Sequence, residues 1–134
     1  MSAPKAVFMA FSILFQPLYF LMLLMYFEQL QSEEDTLARI LDIAIIVLGI
    51  VFMGMQARML SWVRKPEKFA ALRKIFYAGL VVWFFLEVVL SYWWCFVTGA
   101  DPLTEHTPFV VMFLIFNLAQ YWGLKKLGVL AAPE

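Results

Sequence analysis

Residues 79–96 read "GLVVWFFLEVVLSYWWCF", a segment that is almost entirely apolar or aromatic and carries Glu87 near its middle. With the apolar residues that precede it, the segment reaches the roughly 20 residues that a helix needs to cross a hydrocarbon core of about 30 Å. It therefore predicts a membrane-spanning helix that holds a carboxyl group inside the bilayer.

The composition of the whole chain also indicates a membrane protein. Of its 134 residues, 64% are hydrophobic and only 15% are charged, whereas a soluble domain has about 25% charged residues. Four segments are long and apolar enough to span a membrane, at about residues 6–28, 39–62, 73–97 and 108–125. Little chain remains between them. We therefore expect residues 1–134 to form a single integral membrane domain, an all-α four-transmembrane-helix bundle whose first span is too long to be a signal peptide.

The distribution of basic residues predicts the orientation of the bundle. Lys and Arg near span ends are retained preferentially on the cytoplasmic side. Of the ten Lys and Arg residues, only Arg39 falls at the end opposite to the others. We therefore predict a multi-pass protein of the inner (plasma) membrane, with the N and C termini both cytoplasmic.

The loop between the second and third spans is strongly basic. Its charges form a candidate site for anionic lipid head groups. Retention of basic loops in the cytoplasm explains the same charges without any lipid binding, so both interpretations remain open. The residues concerned are Arg64, Lys65, Lys68, Arg73 and Lys74.

Polar side chains recur near the middle of three of the spans. Glu87 lies 13 residues after Lys74 and 14 before Asp101, which places it close to the midplane. A carboxylate there costs on the order of 2.5–3.5 kcal/mol, so Glu87 should face protein or water, and we expect it to be neutral. Helical spacing extends each polar group into a stripe that we expect to face inward, and Gly49 in the stripe of the second span should let a neighbouring backbone approach closely. The stripes contain Ser12, Gln16 and Tyr19; Asp42, Gly49 and Gln56; Glu87 and Ser91; and Asn117, Gln120 and Tyr121. The predicted polar layer comprises Glu87, Gln16, Asn117, Ser91 and Gln120.

Two interpretations of this layer compete. In the structural one, Glu87 donates a hydrogen bond to Gln16, to Asn117 or to the carbonyl freed by Pro17, and each bond contributes roughly 0.6–2 kcal/mol. In the functional one, the layer binds a proton or a cation, because ionisable residues inside a membrane commonly mark such sites.

Other chemistry finds little support in the sequence. Asp101, Glu105 and His106 share one loop, but a lone loop histidine is more often solvated than a metal ligand, so we expect no metal. Haem would need a ligand at membrane depth, and the only histidine lies in that loop. We therefore expect no cofactor, no enzymatic activity and no nucleic-acid binding. The aromatic residues of the third span could line a groove for a quinone, lipid or pigment, although interfacial and packing roles also explain them.

The function predicted first is that of a non-catalytic accessory or assembly subunit, which packs against a larger membrane complex in the lipid bilayer. The alternative is a small homo-oligomeric transporter or channel that is coupled to protons or cations through Glu87. In length, number of spans and single intramembrane glutamate the chain is similar to small multidrug-resistance exporters. Their glutamate lies in the first helix, whereas Glu87 lies in the third, so this similarity concerns architecture and assigns no family.

Overall fold

The computed structural model describes residues 2–130, and they contain helices, turns and loops but no strand. Four helical segments in this range are long and apolar enough to cross a membrane. They are Ala3–Ser32, Thr36–Trp62, Pro66–Thr98 and Thr107–Lys126. Each predicted span lies inside one of these segments. The all-α architecture with four candidate membrane spans is therefore confirmed.

The third segment is not one uniform helix. The elements along the chain are α1 (Ala3–Ser32), α2 (Thr36–Trp62), a 3₁₀ turn (Pro66–Lys68), α3 (Phe69–Phe84), a π-helix (Phe85–Leu90), α4 (Ser91–Thr98), α5 (Pro102–Glu105) and α6 (Thr107–Lys126). The π-helix contains Glu87 at its third position. The intramembrane carboxyl group therefore lies where the regular α-helical hydrogen bonding is interrupted.

Local sequence explains where these helices begin and end. Asp35 caps α2 by accepting a hydrogen bond from the N–H of Ala38, as a short acidic side chain does at a helix start. Pro66 begins the third segment, where its missing N–H costs no hydrogen bond. Gly99 follows α4 with φ +78°, a left-handed conformation that side chains with a Cβ rarely adopt.

Successive segments run in opposite directions, so the loops gather at two ends of the bundle. One end, which we call the acidic end, carries residues 33–35 and 99–106, including Glu33, Glu34, Asp101 and Glu105. The other, the basic end, carries residues 63–65 and both ends of the described chain. Three clusters of buried side chains follow one another between the two ends, which shows the alternating direction of the helices. The basic-end cluster includes Phe8, Met59, Leu72 and Leu124; the central cluster includes Phe15, Tyr19, Phe52, Trp83 and Phe113; the acidic-end cluster includes Tyr26, Leu41, Ile45 and Leu90.

Glycines allow α1 to lie close to both of its neighbours, α2 and α6. A Cβ added to Gly123 of α6 would lie 2.7 Å from the backbone oxygen of Pro4 and 3.1 Å from Cβ of Phe8. A Cβ added to Gly49 of α2 would clash with the side chain of Leu23. Small residues at helix contacts are a common way to pack membrane helices. The close approach expected at Gly49 is confirmed, and Gly123 provides a second one.

Candidate functional site

Glu87 is buried inside the bundle and has partners from two other segments of the chain. Its side chain has no exposed surface. Its Oε1 atom accepts a hydrogen bond of 2.8 Å from the hydroxyl of Tyr19 in α1. Its Oε2 atom lies 3.6 Å from Nε2 of His106 and has no hydrogen-bond partner among the described residues. One carboxyl oxygen is therefore held by a hydrogen bond, and the other faces the imidazole without one.

The π-helix also exposes the backbone carbonyl of Glu87. In an α-helix the N–H of Ser91 would donate to that carbonyl. Here it donates to Leu86, one residue earlier, and the Ser91 hydroxyl donates to the same oxygen at 2.8 Å. Nε2 of His106 lies 2.7 Å from the released Glu87 carbonyl. Short π-helices often occur at functional sites, and this one gives Glu87 a backbone acceptor as well as a carboxyl group.

His106 is the main correction to the sequence prediction. A solvated loop histidine was expected, but only 6% of its surface is exposed. Glu87 lies 11 residues from the end of α4 at Thr98, a distance of about 16 Å along the helix axis. The loop must therefore fold inward for the imidazole to reach it. The predicted solvation was wrong because nothing in the local sequence reveals this inward fold.

Several hydrogen bonds hold the loop in that inward position. Asp101 caps α5 by accepting from the N–H of Leu103 at 3.1 Å and from the hydroxyl of Thr104 at 2.9 Å. The Thr107 hydroxyl donates to the Pro102 carbonyl at 2.9 Å and lies 2.7 Å from the Tyr92 hydroxyl. The Tyr92 ring packs edge-on against the imidazole of His106, with 4.8 Å between ring centroids. These contacts fix the position of the imidazole.

The hydrogen bond to Glu87 identifies the tautomer of His106. A carbonyl oxygen can only accept, so Nε2 must carry a hydrogen and donate it. Burial lowers the pKa of His106 below its ordinary value, although the backbone hydrogen bond to Glu87 partly opposes this effect. The neutral ring is therefore favoured near neutral pH. In that ring Nδ1 has no hydrogen and acts as a hydrogen-bond acceptor.

A second polar cluster lies nearer the basic end. The amide nitrogen of Gln120 donates to the Ser12 hydroxyl at 2.8 Å and to the Gln56 side-chain oxygen at 2.6 Å. All three side chains are buried. They join α1, α2 and α6, which explains why each of these apolar helices retains a polar group there.

Aromatic rings separate this cluster from Glu87. Phe15 lies between Ser12 and Tyr19 along α1, and its ring centroid is 5.1 Å from that of Phe52 and 5.6 Å from that of Phe113. The predicted single polar layer is therefore wrong. The polar groups form two clusters on either side of an aromatic layer. Each polar stripe extends over several turns of its helix, so its residues can reach both levels.

The remaining predicted residues occupy different positions. Gln16 does not join Glu87, because its amide donates to the Met53 carbonyl at 2.9 Å, across the contact between α1 and α2. Asn117 is buried, and its Nδ2 has no hydrogen-bond partner among residues 2–130. Ser91 and Gln120 are both buried, but they belong to different clusters. Of the predicted set, only Ser91 shares the level of Glu87, where Tyr19 and His106 complete the site.

Asp42 is a further buried acid near the acidic end. The sequence placed it on the inward stripe of α2, and that placement is confirmed because the residue has no exposed surface. Both of its carboxyl oxygens lack a hydrogen-bond partner within the described chain, as does Nε1 of Trp94. Leu41 and Ile45, which flank Asp42, pack in the cluster that Trp94 borders. Within residues 2–130, the buried carboxyl groups are therefore those of Glu87, which accepts from Tyr19, and Asp42, which lies near the indole of Trp94.

A groove of about 600 Å³ opens beside the Glu87 site, between α1, α4 and the α5–α6 segment. Its floor includes Tyr26, Cys95, His106 and Phe113, all buried. Its edges include Leu21, Met25 and Phe109, which are each at least half exposed in spans that would face lipid. His106 thus lies between the groove and Glu87.

The basic residues proposed for lipid head groups lie at the opposite end of the bundle. Arg64, Lys65, Lys68 and Lys74 are exposed, while Arg73 is partly buried. Their exposure is compatible with either interpretation, so lipid binding at this end stays a prediction.

Comparison of the chain with protein-family models, with curated proteins and with solved structures finds no match.

Proposed function

We propose that this protein is a small proton-coupled membrane transporter in which Glu87 takes up and releases the proton. The observation that supports it most is the buried Glu87 carboxyl, which has one oxygen bound by Tyr19 and the other unpartnered beside His106. Ionisable groups at membrane depth commonly serve proton relays. No catalytic role is proposed for the chain.

His106 provides the proposed route for the proton. It borders the groove on one side and lies within 3.6 Å of Glu87 on the other. Imidazole can accept a proton on one nitrogen and release one from the other, which suits it to such a relay. Towards the basic end, the aromatic layer around Phe15 and Phe113 interrupts polar contact. The described conformation would then be the one that exchanges protons with the acidic end.

The cluster of Ser12, Gln56 and Gln120 would serve the opposite conformation. It provides hydrogen-bonding side chains on the other face of the aromatic layer. Movement of that layer would connect Glu87 to the basic end and disconnect it from the groove. This arrangement meets the requirement that a transporter opens to one side at a time.

Infrared spectroscopy tests the proton site directly. The purified protein in lipid nanodiscs should show a carbonyl-stretch band of a protonated carboxyl that changes with pH. Glu87→Gln should remove the component of this change that comes from a carboxyl shielded from water, whereas Glu105→Gln, a change of the same type at an exposed position near His106, should preserve that component. Persistence of that component in Glu87→Gln would show that another buried carboxyl, such as Asp42, takes up the proton.

Vesicle flux tests the transport step. Vesicles that contain the protein and a pH-sensitive dye should dissipate an imposed pH gradient faster than protein-free vesicles once valinomycin removes the charge imbalance. Glu87→Gln should reduce the rate to that of protein-free vesicles while the helical circular dichroism is unchanged. Equal rates for the wild type and this variant would reject the proposed function.

The orientation and location remain proposals. The basic residues favour cytoplasmic termini in the inner (plasma) membrane. The acidic end and its groove would then face outward. A reporter that is active only in the cytoplasm should be active at the C-terminus and inactive in the loop after Gly99, and an external reporter should give the opposite result. The reverse pattern would show the inverted orientation.

An accessory-subunit role is supported by a different surface. Ile43, Val47 and Ile50 form an exposed face on α2, and a Cβ added to Gly54 on the same helix would contact nothing within 4 Å. Such a flat apolar face allows another helix to approach closely. If a larger partner uses it, gentle extraction should recover that partner in a fixed ratio, and Gly54→Trp should release it while Leu118→Trp, at an exposed position on α6, should not. Recovery of the same assembly from both variants would argue against this role.

A further inference from the structure

The groove beside His106 has the shape of a binding site for an amphiphile. Its volume of about 600 Å³ lies within the range of roughly 300–1,000 Å³ that is typical of small-molecule sites. The side chains at its edges, among them Leu21, Met25 and Phe109, are exposed within the spans, so a ligand can enter from the hydrocarbon of the bilayer.

The polar side chains of the groove are concentrated at one end. Gln29, Thr104 and Glu105 form its exposed rim at the acidic end, and His106 lies buried beside them. Leu18, Met22 and Met112 line the part nearer the centre of the bundle. A ligand would therefore place its head at the acidic end and its apolar body between α1 and α6.

His106 determines what the head must offer. Its Nε2 already donates to the Glu87 carbonyl, so Nδ1 remains as an acceptor in the neutral ring. The buried floor contains Cys95, Phe113 and Tyr26 and carries no charged side chain among the described residues that line it. A charged head would lose its hydration without gaining a buried counter-ion, and the exposed Glu105 would repel an anion. A neutral hydrogen-bond donor fits this environment best.

We propose that the groove binds an uncharged amphiphile whose hydroxyl head donates a hydrogen bond to Nδ1 of His106. The proposal extends the proposed function, because this amphiphile would be the substrate whose movement is coupled to the proton on Glu87. A lipid alcohol and a phenolic compound share the required chemistry.

Photolabelling tests both the site and the head group. The full-length protein in nanodiscs is labelled with a diazirine derivative of dodecanol, and the labelled peptides are identified by mass spectrometry. Label is expected on the α1 and α6 residues that line the groove. Unlabelled dodecanol should compete about tenfold better than dodecyl methyl ether, which has the same shape but cannot donate, because one hydrogen bond to a buried acceptor is worth about that factor. An alkylphenol should compete as dodecanol does if the apolar body is unimportant.

Paired variants check the location of the label. Met25→Trp places a large ring at the edge of the groove and should abolish labelling, whereas Leu24→Trp, the adjacent exposed position on α1 outside the groove, should leave it intact. His106→Phe keeps an aromatic ring and should remove the difference between alcohol and ether.

Three results would overturn this inference: equal competition by alcohol and ether in the wild type, stronger competition by dodecylammonium or dodecanoate, or label that survives Met25→Trp. Labelling should persist in Glu87→Gln, because that residue lies behind His106 and does not line the groove. Specific labelling without proton flux would therefore reject only the transport proposal. Flux without specific labelling would reject only this one.

Discussion

Replacement of Gly123 by alanine should loosen the contact between α1 and α6. The new Cβ would lie 2.7 Å from the Pro4 oxygen, whereas ordinary contact begins at 3.4 Å, so the helices must separate by about 0.7 Å. Because the opposing atom is backbone, no side-chain rotation can relieve the clash. Overpacking of this kind costs typically 1–3 kcal/mol, and the higher helix propensity of alanine returns about 1 kcal/mol.

Gly54→Ala is the matched control for this prediction. It adds the same methyl group to a helix where nothing lies within 4 Å, so it should be neutral or stabilising by up to about 1 kcal/mol. The free energies of unfolding of the two variants should therefore differ by about 1–3 kcal/mol. The measurement is equilibrium unfolding in mixed micelles with increasing SDS, followed by tryptophan fluorescence. Equal stability of the two variants would refute the close approach of α1 and α6 at this position.

Three further predictions concern single interactions. Gly49→Ala should destabilise the bundle by about 1–3 kcal/mol. In a double-mutant cycle, Leu23→Ala should destabilise the Gly49→Ala variant less than it destabilises the wild type. Additive effects would show that the two residues do not touch. Tyr19→Phe should lower the free energy of unfolding by about 1–3 kcal/mol in the same assay, because it removes the hydrogen bond to buried Glu87. Tyr121→Phe, at a position that is 41% exposed, should have no effect. A harmless Tyr19→Phe would contradict the observed bond. Burial lowers the pKa of His106 from 6.5 in the folded state, so the unfolded state binds the proton first as the pH falls. The free energy of unfolding should therefore decrease as pH drops below about 6.5 and level off below the folded pKa. His106→Gln should remove this pH dependence, and an unchanged pH profile in that variant would refute the assignment to His106.

Much of the fold follows from the sequence because apolar length and helix-capping residues act locally. Each predicted span lies within an observed segment, and Gly99, a residue type that commonly ends helices, follows α4. Burial of the polar stripes also follows, since Ser12, Asp42 and Gln56 lie on the inner faces of their helices. Tyr121 departs from this pattern and is exposed.

The partners of Glu87 could not be predicted in the same way. The sequence prediction compared the depth of each polar residue along its own span, and on that basis it grouped Glu87 with Gln16 and Asn117. The hydrogen bond from Tyr19 depends on the relative rotation of α1 and the π-helix, which residue spacing does not determine. The approach of His106 depends on the inward fold of residues 99–106. Both contacts depend on tertiary packing, and no local sequence pattern indicates them.

The π-helix at residues 85–90 has a consequence for insertions and deletions in this chain. A π-helical turn accommodates one more residue than the α-helical turn it replaces. In an uninterrupted α-helix of the same length, Trp94 and Cys95 would be rotated by about 100° and carried away from the groove. Deletion of Val89, an exposed residue in this turn, should therefore preserve the positions of α3 and α4, whereas deletion of one residue elsewhere in the third span should misalign them. Sequences descended from the same ancestor can thus differ in length by one residue at this point and still build the same bundle, although they would lack the released carbonyl of Glu87.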